Sequence, residues 1–382
     1  MAKSRSVAQL PLWEDDRFTE TPDYVTSQLI TYIGNKRSLV SHIEAAIAKV
    51  KDRLGKRRLR CMDVFSGSGV ISRLMKRHAS TIVANDIEDY AAVASRCYLT
   101  NREDVDESLL RDVVADLNSR VDGEALPPGF IEAMYAPRNE KRITANDRVF
   151  YTRNNARRID NYRRMIDAVP PELRDLLLGP LLSEASVHAN TAGVFKGFYK
   201  DKATKVGRFG GSGADALLRI LGAIELAVPV LSEHACKFIV MQDDANTAVR
   251  SVKNLDLAYI DPPYNQHPYG SNYFMLNLIV HYQCPTEVSD VSGIPTDWRR
   301  SGYNVKARSA ELMKDLFSHT DARFLLVSFN NEGFVGPTEM RALLEAEGRV
   351  DVIEVPYNAF RGSRSFKNRP IHVTEQLFLV ER

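Results

Sequence analysis

Three stretches of the 382-residue chain predict an α/β fold built on a mostly parallel sheet. "LRCMDVF" (59–65) reads as a strand that enters the tight turn "SGSG" and then the helical "VISRLMKRH". "STIVAND" (80–86) follows as a second strand, and strand patterns return late in "CKFIVM", "LDLAYI", "ARFLLVSF", "RVDVIEV" and "EQLFLV". Strands joined through helices are the mark of a parallel sheet, whose neighbours need a crossover connection.

Taken in order, residues 1–28 form a polar arm without the apolar run of a signal peptide. In "KRSLVSHIEAAIAKVKDRL", Leu39, Ile43, Ile47, Val50 and Leu54 recur at helical spacing and Gly55 supplies the stop. The sheet-forming part is expected over 29–100 and 233–382. Between them, 101–232 is a mainly helical insertion, with helical periodicity in "ESLLRDVVADL" and across "ADALLRILGAIELAVPVL". A long connection at the rim of a sheet is a natural site for a recognition module.

Composition excludes several classes. With 44% hydrophobic and 26% charged residues the chain reads as soluble and globular, and no run of about 18 apolar residues could span a membrane. The four cysteines are scattered, as suits core residues of a reducing cytoplasm, and the eight histidines form no metal-ligand spacing. No metal is expected. The net charge is +2, yet residues 138–164 carry nine Lys/Arg against three Asp/Glu. Local basic patches on a nearly neutral chain suit a polyanion met at defined places, or a solvated helix face.

Two motifs carry chemistry. In "DVFSGSG" (63–69) the glycines let backbone approach a ligand, while Ser72 stands where a dinucleotide fingerprint has its third glycine. Asp86, closing the next strand, can accept ribose hydroxyls or cap a helix. The second motif is "DPPY" (Asp261 to Tyr264), which follows the apolar "LAYI". Prolines cannot continue a ladder, so the acid lies just past a strand end. A nucleobase amine is a poor nucleophile because its lone pair is delocalised into the ring. Asp261 and the carbonyl of Pro262 can accept its two hydrogens and free that lone pair, and Tyr264 can stack on a flipped base.

These motifs, in this order, resemble the alpha-group (Dam-like) adenine-specific DNA methyltransferases. "ITYIGNKRSLVSHI" resembles the N-terminal cofactor motif, "FSGSG" motif I, "ANDIE" motif II, "QDDA" motif III and "DPPY" motif IV. "FLLVSFNNEGF" and the final "YNAFRGSRSFKNRPIHVTEQLF" resemble the family's later strand and closing hairpin. The resemblance implies a Rossmann-like S-adenosylmethionine-dependent methyltransferase fold with a C-terminal antiparallel hairpin. It implies S-adenosylmethionine as donor and adenine N6 in double-stranded DNA as acceptor.

Carried over by position, Asp261, Pro262 and Tyr264 would be catalytic. Tyr32, Gly34 and Lys36 would meet the donor's methionine end, with Asp63, Phe65, Gly67 and Gly69 beside them. Asp86 would take the ribose and Asp244, or its neighbour Asp243, the donor's adenine. Asn265, Tyr269 and Tyr273 are candidates to shape the pocket or simply to pack. Arg361, Arg364, Lys367 and Arg369 of the closing hairpin would neutralise phosphates, with Phe360 or Tyr357 facing the flipped base. In the insertion, a target-recognition domain by this reading, Arg153 and Arg157 are further DNA candidates, and "HANTAGVFKGFYK" mixes bases with aromatics. A cognate restriction endonuclease is a conceivable partner.

Alternatives remain open in sequence. The same chemistry serves cytosine N4, RNA adenine or a glutamine amide, although Asp rather than Ser or Asn at position 261 favours adenine. A non-catalytic specificity subunit on the same fold is disfavoured by the intact "DPPY" and glycine loop.

Overall fold

The computed structural model describes residues 20–123, 125–211, 214–263, 265–330, 333–358 and 372–382. Its seven-stranded sheet runs in the order β3-β2-β1-β4-β5-β7-β6. The strands are β1 (Leu59–Asp63), β2 (Ala79–Asn85), β3 (Lys237–Met241), β4 (Leu255–Ile260), β5 (Ala322–Asn330), β6 (Arg349–Asn358) and β7 (His372–Glu381). β1 to β5 pair in parallel, and β7 lies antiparallel to both β5 and β6. A mostly parallel sheet closed by an antiparallel pair is the predicted architecture, and all seven strands fall where the sequence placed them.

The helices begin with α1 (Asp23–Thr26), α2 (Val40–Leu54), α3 (Val70–Lys76) and α4 (Asp89–Leu99). The insertion holds α5 (Glu107–Gly123), α6 (Phe130–Tyr135), α7 (Arg153–Ala168), α8 (Pro171–Val187) and α9 (Ala214–Leu221). α10 (Ala245–Ser251), α11 (Tyr269–Asn272), α12 (Phe274–His281), α13 (Lys306–His319) and α14 (Pro337–Glu345) complete the order. None is long and apolar enough to cross a membrane, among the described residues.

Alternating strand residues feed two cores. Cys61, Leu257, Tyr259 and Leu326 pack with α2 and α3 on one face, while Met62, Ala258, Ile260 and Leu325 pack with α10, α13 and α14 on the other. Every residue of β4 is therefore buried, as expected of a strand covered on both sides. A third core joins the insertion to the sheet part, uniting α5 to α8 with α4 and α12.

One helix is shorter than its periodicity predicted. The pattern across 214–231 stops as a helix at Leu221, and residues 223–232 run on without regular structure. Distant amide side chains satisfy the backbone there. Asn155 accepts from Ile224 N and donates to Gly222 O, Asn118 does the same with Leu226, and Gln28 bridges Val228 O and Val230 N. These contacts replace the helical ladder that an isolated segment would need.

Candidate active site

The sheet order reverses direction between β1 and β4, and in open α/β sheets the ligand crevice lies at the carboxyl ends beside such a switch. The cleft found there, open to solvent, spans about 710 Å³ and adjoins a smaller one of about 300 Å³. Residues at or just beyond the ends of four strands line them: Asp63 closing β1 and Phe65 after it, Asp86 after β2, Asp243 and Asp244 after β3, and Asp261 after β4. Tyr32, Gly34 and Gly67 border both, whereas Lys36 borders the smaller. Gly69 borders neither and caps α3 at φ 79°, a conformation that suits glycine.

The glycine turn and the acid after β2 form one unit. The Gly67 N–H donates to Asp86 Oδ2 at 2.8 Å, and the Glu88 N–H donates to Asp86 Oδ1 at 2.9 Å. Burial pushes the Asp86 carboxyl above its ordinary pKa while these N–H groups oppose the shift. Asp86 thus braces the loop as well as bordering the cleft, and keeps lone pairs for a ligand. Tyr32 stacks against Tyr269 and Tyr273 with centroids 4.9 and 4.7 Å away. The Tyr273 hydroxyl accepts the Ile33 N–H at 2.7 Å, which fixes the segment carrying Tyr32 and Gly34.

Asp261 sits where the two hollows meet. Its Oδ1 lies 3.2 Å from Lys36 Nζ, whose shorter contact, 2.7 Å, is to Glu375 Oε1 on β7. Burial raises the Asp261 pKa to about 6, Lys36 works against that shift, and Glu375 adds to it. Lys36, expected at the donor's methionine end, is thereby also the counter-ion of the catalytic candidate. Pro262 is buried and Pro263 lines the cleft. Tyr264 and Phe360 lie outside the described residues, as do Arg361, Arg364, Lys367 and Arg369, and of Tyr357 only its place on β6 is described.

The fit to a nucleoside sulfonium donor rests on acids at the walls of the two hollows, one of which keeps an oxygen without a hydrogen-bond partner among the described residues. Asp63 is buried, its Oδ2 accepts from Ser72 Oγ at 2.6 Å, and its Oδ1 has no hydrogen-bond partner. Burial raises its pKa to about 7, so a cationic group bound in the adjoining hollow would restore its charge. Asp244 caps α10 by accepting from the N–H groups of Asn246 and Thr247 through Oδ1. The Asp243 backbone is instead clamped by the Asn85 side chain, which leaves both carboxylates at the cleft wall. No group of three or more His, Cys, Asp or Glu placed to hold a metal occurs among the described residues.

Several cleft residues escaped the sequence. Glu88 lines it, is 2% exposed, accepts from Asn277 Nδ2 at 2.7 Å, and is raised to about 7 by burial. Arg299, Ser301, Tyr303 and Asn304 arrive from a connection without periodicity. Tyr303 packs edge-on against Phe65 at 5.4 Å and donates its hydroxyl to Asn246 Oδ1. Asn304 Nδ2 donates to Asn265 O at 2.7 Å, holding the stretch after the prolines. The acid of "ANDIE" at position 88 was the one legible signal among them.

Arg153 and Arg157 lie together on α7, but both bind Glu132 of α6, at 2.7 and 2.6 Å to its Oε1. Their guanidinium groups therefore already have an anion within the protein.

The sequence model of the D12 class N6 adenine-specific DNA methyltransferases matches residues 32–330. Type II methyltransferase M.NlaIII of Neisseria lactamica is 27% identical over 363 residues, covering 92% of this chain and 99% of that protein. Type II methyltransferase M.CviAII of Paramecium bursaria Chlorella virus 1 is 27% identical over 359 residues, covering 92% and 98% respectively. Modification methylase StsI of Streptococcus sanguinis is 26% identical over 374 residues, with 92% of this chain but 52% of that protein covered.

Proposed function

This chain belongs to the D12 class N6 adenine-specific DNA methyltransferases, and on that premise we propose how its residues divide the reaction. It is a sequence-specific DNA adenine methyltransferase, and its methyl donor in this reading is S-adenosylmethionine. That donor supplies an electrophilic methyl group on a sulfonium. Asp63 would hold the ammonium of its methionine end, with Tyr32 and Gly34 closing over it. Asp86, with Glu88 beside it, would take the ribose hydroxyls. Phe65 and Tyr303 would flank the adenine, and Asp244 or Asp243 would accept its amine.

Asp261 is the observation that carries the reading. A carboxylate at the junction of two hollows can face a bound nucleoside on one side and an incoming base on the other. Its Oδ1 faces the Lys36 ammonium at 3.2 Å without a hydrogen bond, and Oδ2 would take the target amine. Oδ2 would accept one N6 hydrogen and the Pro262 carbonyl the other, turning the lone pair toward the methyl group. As the N6–carbon bond forms and the carbon–sulfur bond breaks to leave a neutral thioether, N6 becomes strongly acidic and its proton would pass to Oδ2. At a pKa of about 6 the carboxylate is mostly ionised at neutral pH and ready to receive it.

On the DNA side, the turn at 200–207 supports a phosphate-contact role better than Arg153 and Arg157 do. Lys202 and Lys205 are exposed at its tip, and Asp201 organises it by accepting from Ala203 N and Thr204 N. The segment leading into it is tied to the active-site side: Phe195 N donates to Asn272 O at 2.7 Å, and Tyr273 Oη to Gly193 O at 3.4 Å. The insertion 101–232 would thus serve as the recognition region, and the named relatives suggest a partnership with a restriction endonuclease.

The test is long-read sequencing of DNA from cells expressing the wild type and Asp261→Ala. Methylated adenines in one recurrent context are expected from the first and none from the second. Methylation retained in the variant removes Asp261 from the chemistry.

A further inference from the structure

The cation beside Asp261 is shared. Lys36 is 6% exposed and reaches Asp261 from the loop ahead of α2, while Glu375 reaches the same ammonium from β7. Ser328 on β5 donates its hydroxyl to Glu375 Oε1 at 2.9 Å, the atom that faces Lys36. Three neighbouring chain segments thus contribute one group each: the residue after β4 the carboxylate that would meet substrate, β5 the hydroxyl, β7 the second carboxylate. Glu375 touches neither hollow, so donor binding gives no reason for a buried acid there.

We propose that Glu375 is a positioning residue for methyl transfer: braced by Ser328, it holds the Lys36 ammonium back from Asp261 and so keeps that carboxylate a strong acceptor for the target amine. This rests on the reading of Asp261 given above. A buried carboxylate with no cation nearby is driven to the neutral acid and cannot accept both hydrogen bond and proton. A buried carboxylate closed on a lysine at full hydrogen-bond length, roughly 2.8 Å, has its basicity spent on that pair. The observed 3.2 Å contact lies between these extremes, and the shorter 2.7 Å contact to Glu375 draws the ammonium away from Asp261.

Among the described residues, the charged and titratable groups around Asp261 are few. Lys36 and Glu375 act on it most directly, and it in turn raises the pKa values of Asp63 and of the Tyr259 phenol. Burial, the largest influence on Asp261, pushes its pKa up, Lys36 pulls it down, and Glu375 restores part of the rise. Removing the Glu375 charge frees Lys36 to close on Asp261, so the carboxylate becomes a weaker base.

The experiment measures the single-turnover methyl-transfer rate from pH 5 to 9 at saturating S-adenosylmethionine and DNA, in wild type, Glu375→Gln and Glu375→Asp. Wild type should lose rate below a limb near pH 6. Glu375→Gln should move that limb down by about one unit and slow the plateau roughly three- to tenfold, as Brønsted behaviour of a weaker base requires. Its S-adenosylhomocysteine affinity is measured in parallel and should change less than the rate, because Glu375 itself borders neither hollow and acts on the donor side only through Lys36. Glu375→Asp, which keeps the charge, should return the limb toward wild type. An unshifted or raised limb in Glu375→Gln overturns the proposal. Should that variant fail to fold, Lys36→Gln carries the test, since loss of the cation must raise the limb, and an unmoved limb there is equally fatal. Asp261→Ala is run alongside: turnover in that variant defeats the catalytic reading itself, whereas a dead variant with an unmoved Glu375→Gln limb defeats only the role of Glu375.

Discussion

Gly67 and Gly69 lie two residues apart with φ of 50° and 79°, and substituting each with alanine separates backbone strain from cofactor-site geometry. Both substitutions force a Cβ into left-handed backbone, a penalty of about 1–2 kcal/mol. They differ in what that Cβ meets. At Gly69 nothing lies within 4 Å, and the residue borders neither hollow. At Gly67 the new carbon falls 3.1 Å from Tyr32 Cε1 and 3.2 Å from its hydroxyl. Tyr32 cannot yield freely, because it stacks on Tyr269 and Tyr273 and its hydroxyl accepts from Tyr90. The loop must move instead, which opens the Gly67 N–H contact to the Asp86 carboxylate. A hydrogen bond to a charged group is worth about 1.5–3 kcal/mol, so donor affinity should fall tenfold or more. Calorimetric titration with S-adenosylhomocysteine should show that fall in Gly67→Ala alone, while thermal melts drop by a few degrees in both. Equal affinities in the two variants would refute the role given to the Tyr32–Gly67 approach.

Four further outcomes are expected. Glu88 has its pKa raised to about 7 in the fold, above its unfolded value, so the stability it contributes is full at low pH and lost as pH rises through 7. The apo protein should therefore melt lower at pH 7.5 than at pH 5, by up to about 3 kcal/mol from this group, and Glu88→Gln should flatten the fall. Glu132→Gln should lower the melting temperature by weakening its pairs with Arg153 and Arg157, and Arg157→Ala should do likewise while leaving the salt slope of DNA binding intact. A reduced slope would return Arg157 to the DNA. Asp244→Ala should cost about 1 kcal/mol by removing the α10 cap in addition to any weakening of donor affinity, whereas Asp243→Ala should affect donor affinity alone. Replacing Lys202 and Lys205 by alanine should reduce the salt slope of DNA binding by about 0.9 for each phosphate that the turn no longer neutralises, and an unchanged slope would place the 200–207 turn away from DNA.

What the sequence made legible was local. β4 and its prolines announce themselves within ten residues, because an apolar run followed by residues that cannot join a ladder has one structural meaning. The glycine turn and Asp86 are separated by a single helix, so their meeting at the strand ends followed from the α/β pattern. What stayed hidden was set by distance in the chain. Glu375 reaches Lys36 across 339 positions and Glu132 reaches Arg157 across 25, and neither spacing has a period to betray it. The helix expected over 214–231 fails for the same reason, since Asn118 and Asn155 capture its backbone from far upstream. The basic stretch at 138–164 stayed open in sequence because charge count does not say which charges are already paired, as Arg153 and Arg157 are with Glu132.

The insertion is continuous in sequence, yet packing does not separate it from the sheet. Gly179 in α8 approaches α4 so closely that a Cβ there would stand 2.6 Å from Cys97 Sγ and 2.7 Å from its Cβ. α4 begins three residues after Asp86, and Tyr90 on it lies in the same core as Ile159, Leu177 and Tyr273. Tyr273 in turn holds Ile33 on one side of its hydroxyl and Gly193 on the other. A buried side chain that bonds both the cleft-lining segment and the segment leading to the Lys202 turn gives the two a common support. Side-chain interiors are close-packed and shift between discrete arrangements rather than deform smoothly. A displacement of the turn on engaging DNA would therefore bear on Tyr273 and, through the ring stack, on Tyr32 at the donor site. In this reading the long connection between β2 and β3, whose first residues Asp86, Ile87 and Glu88 line the cleft, would share with the proposed donor site the support of the same few aromatic rings.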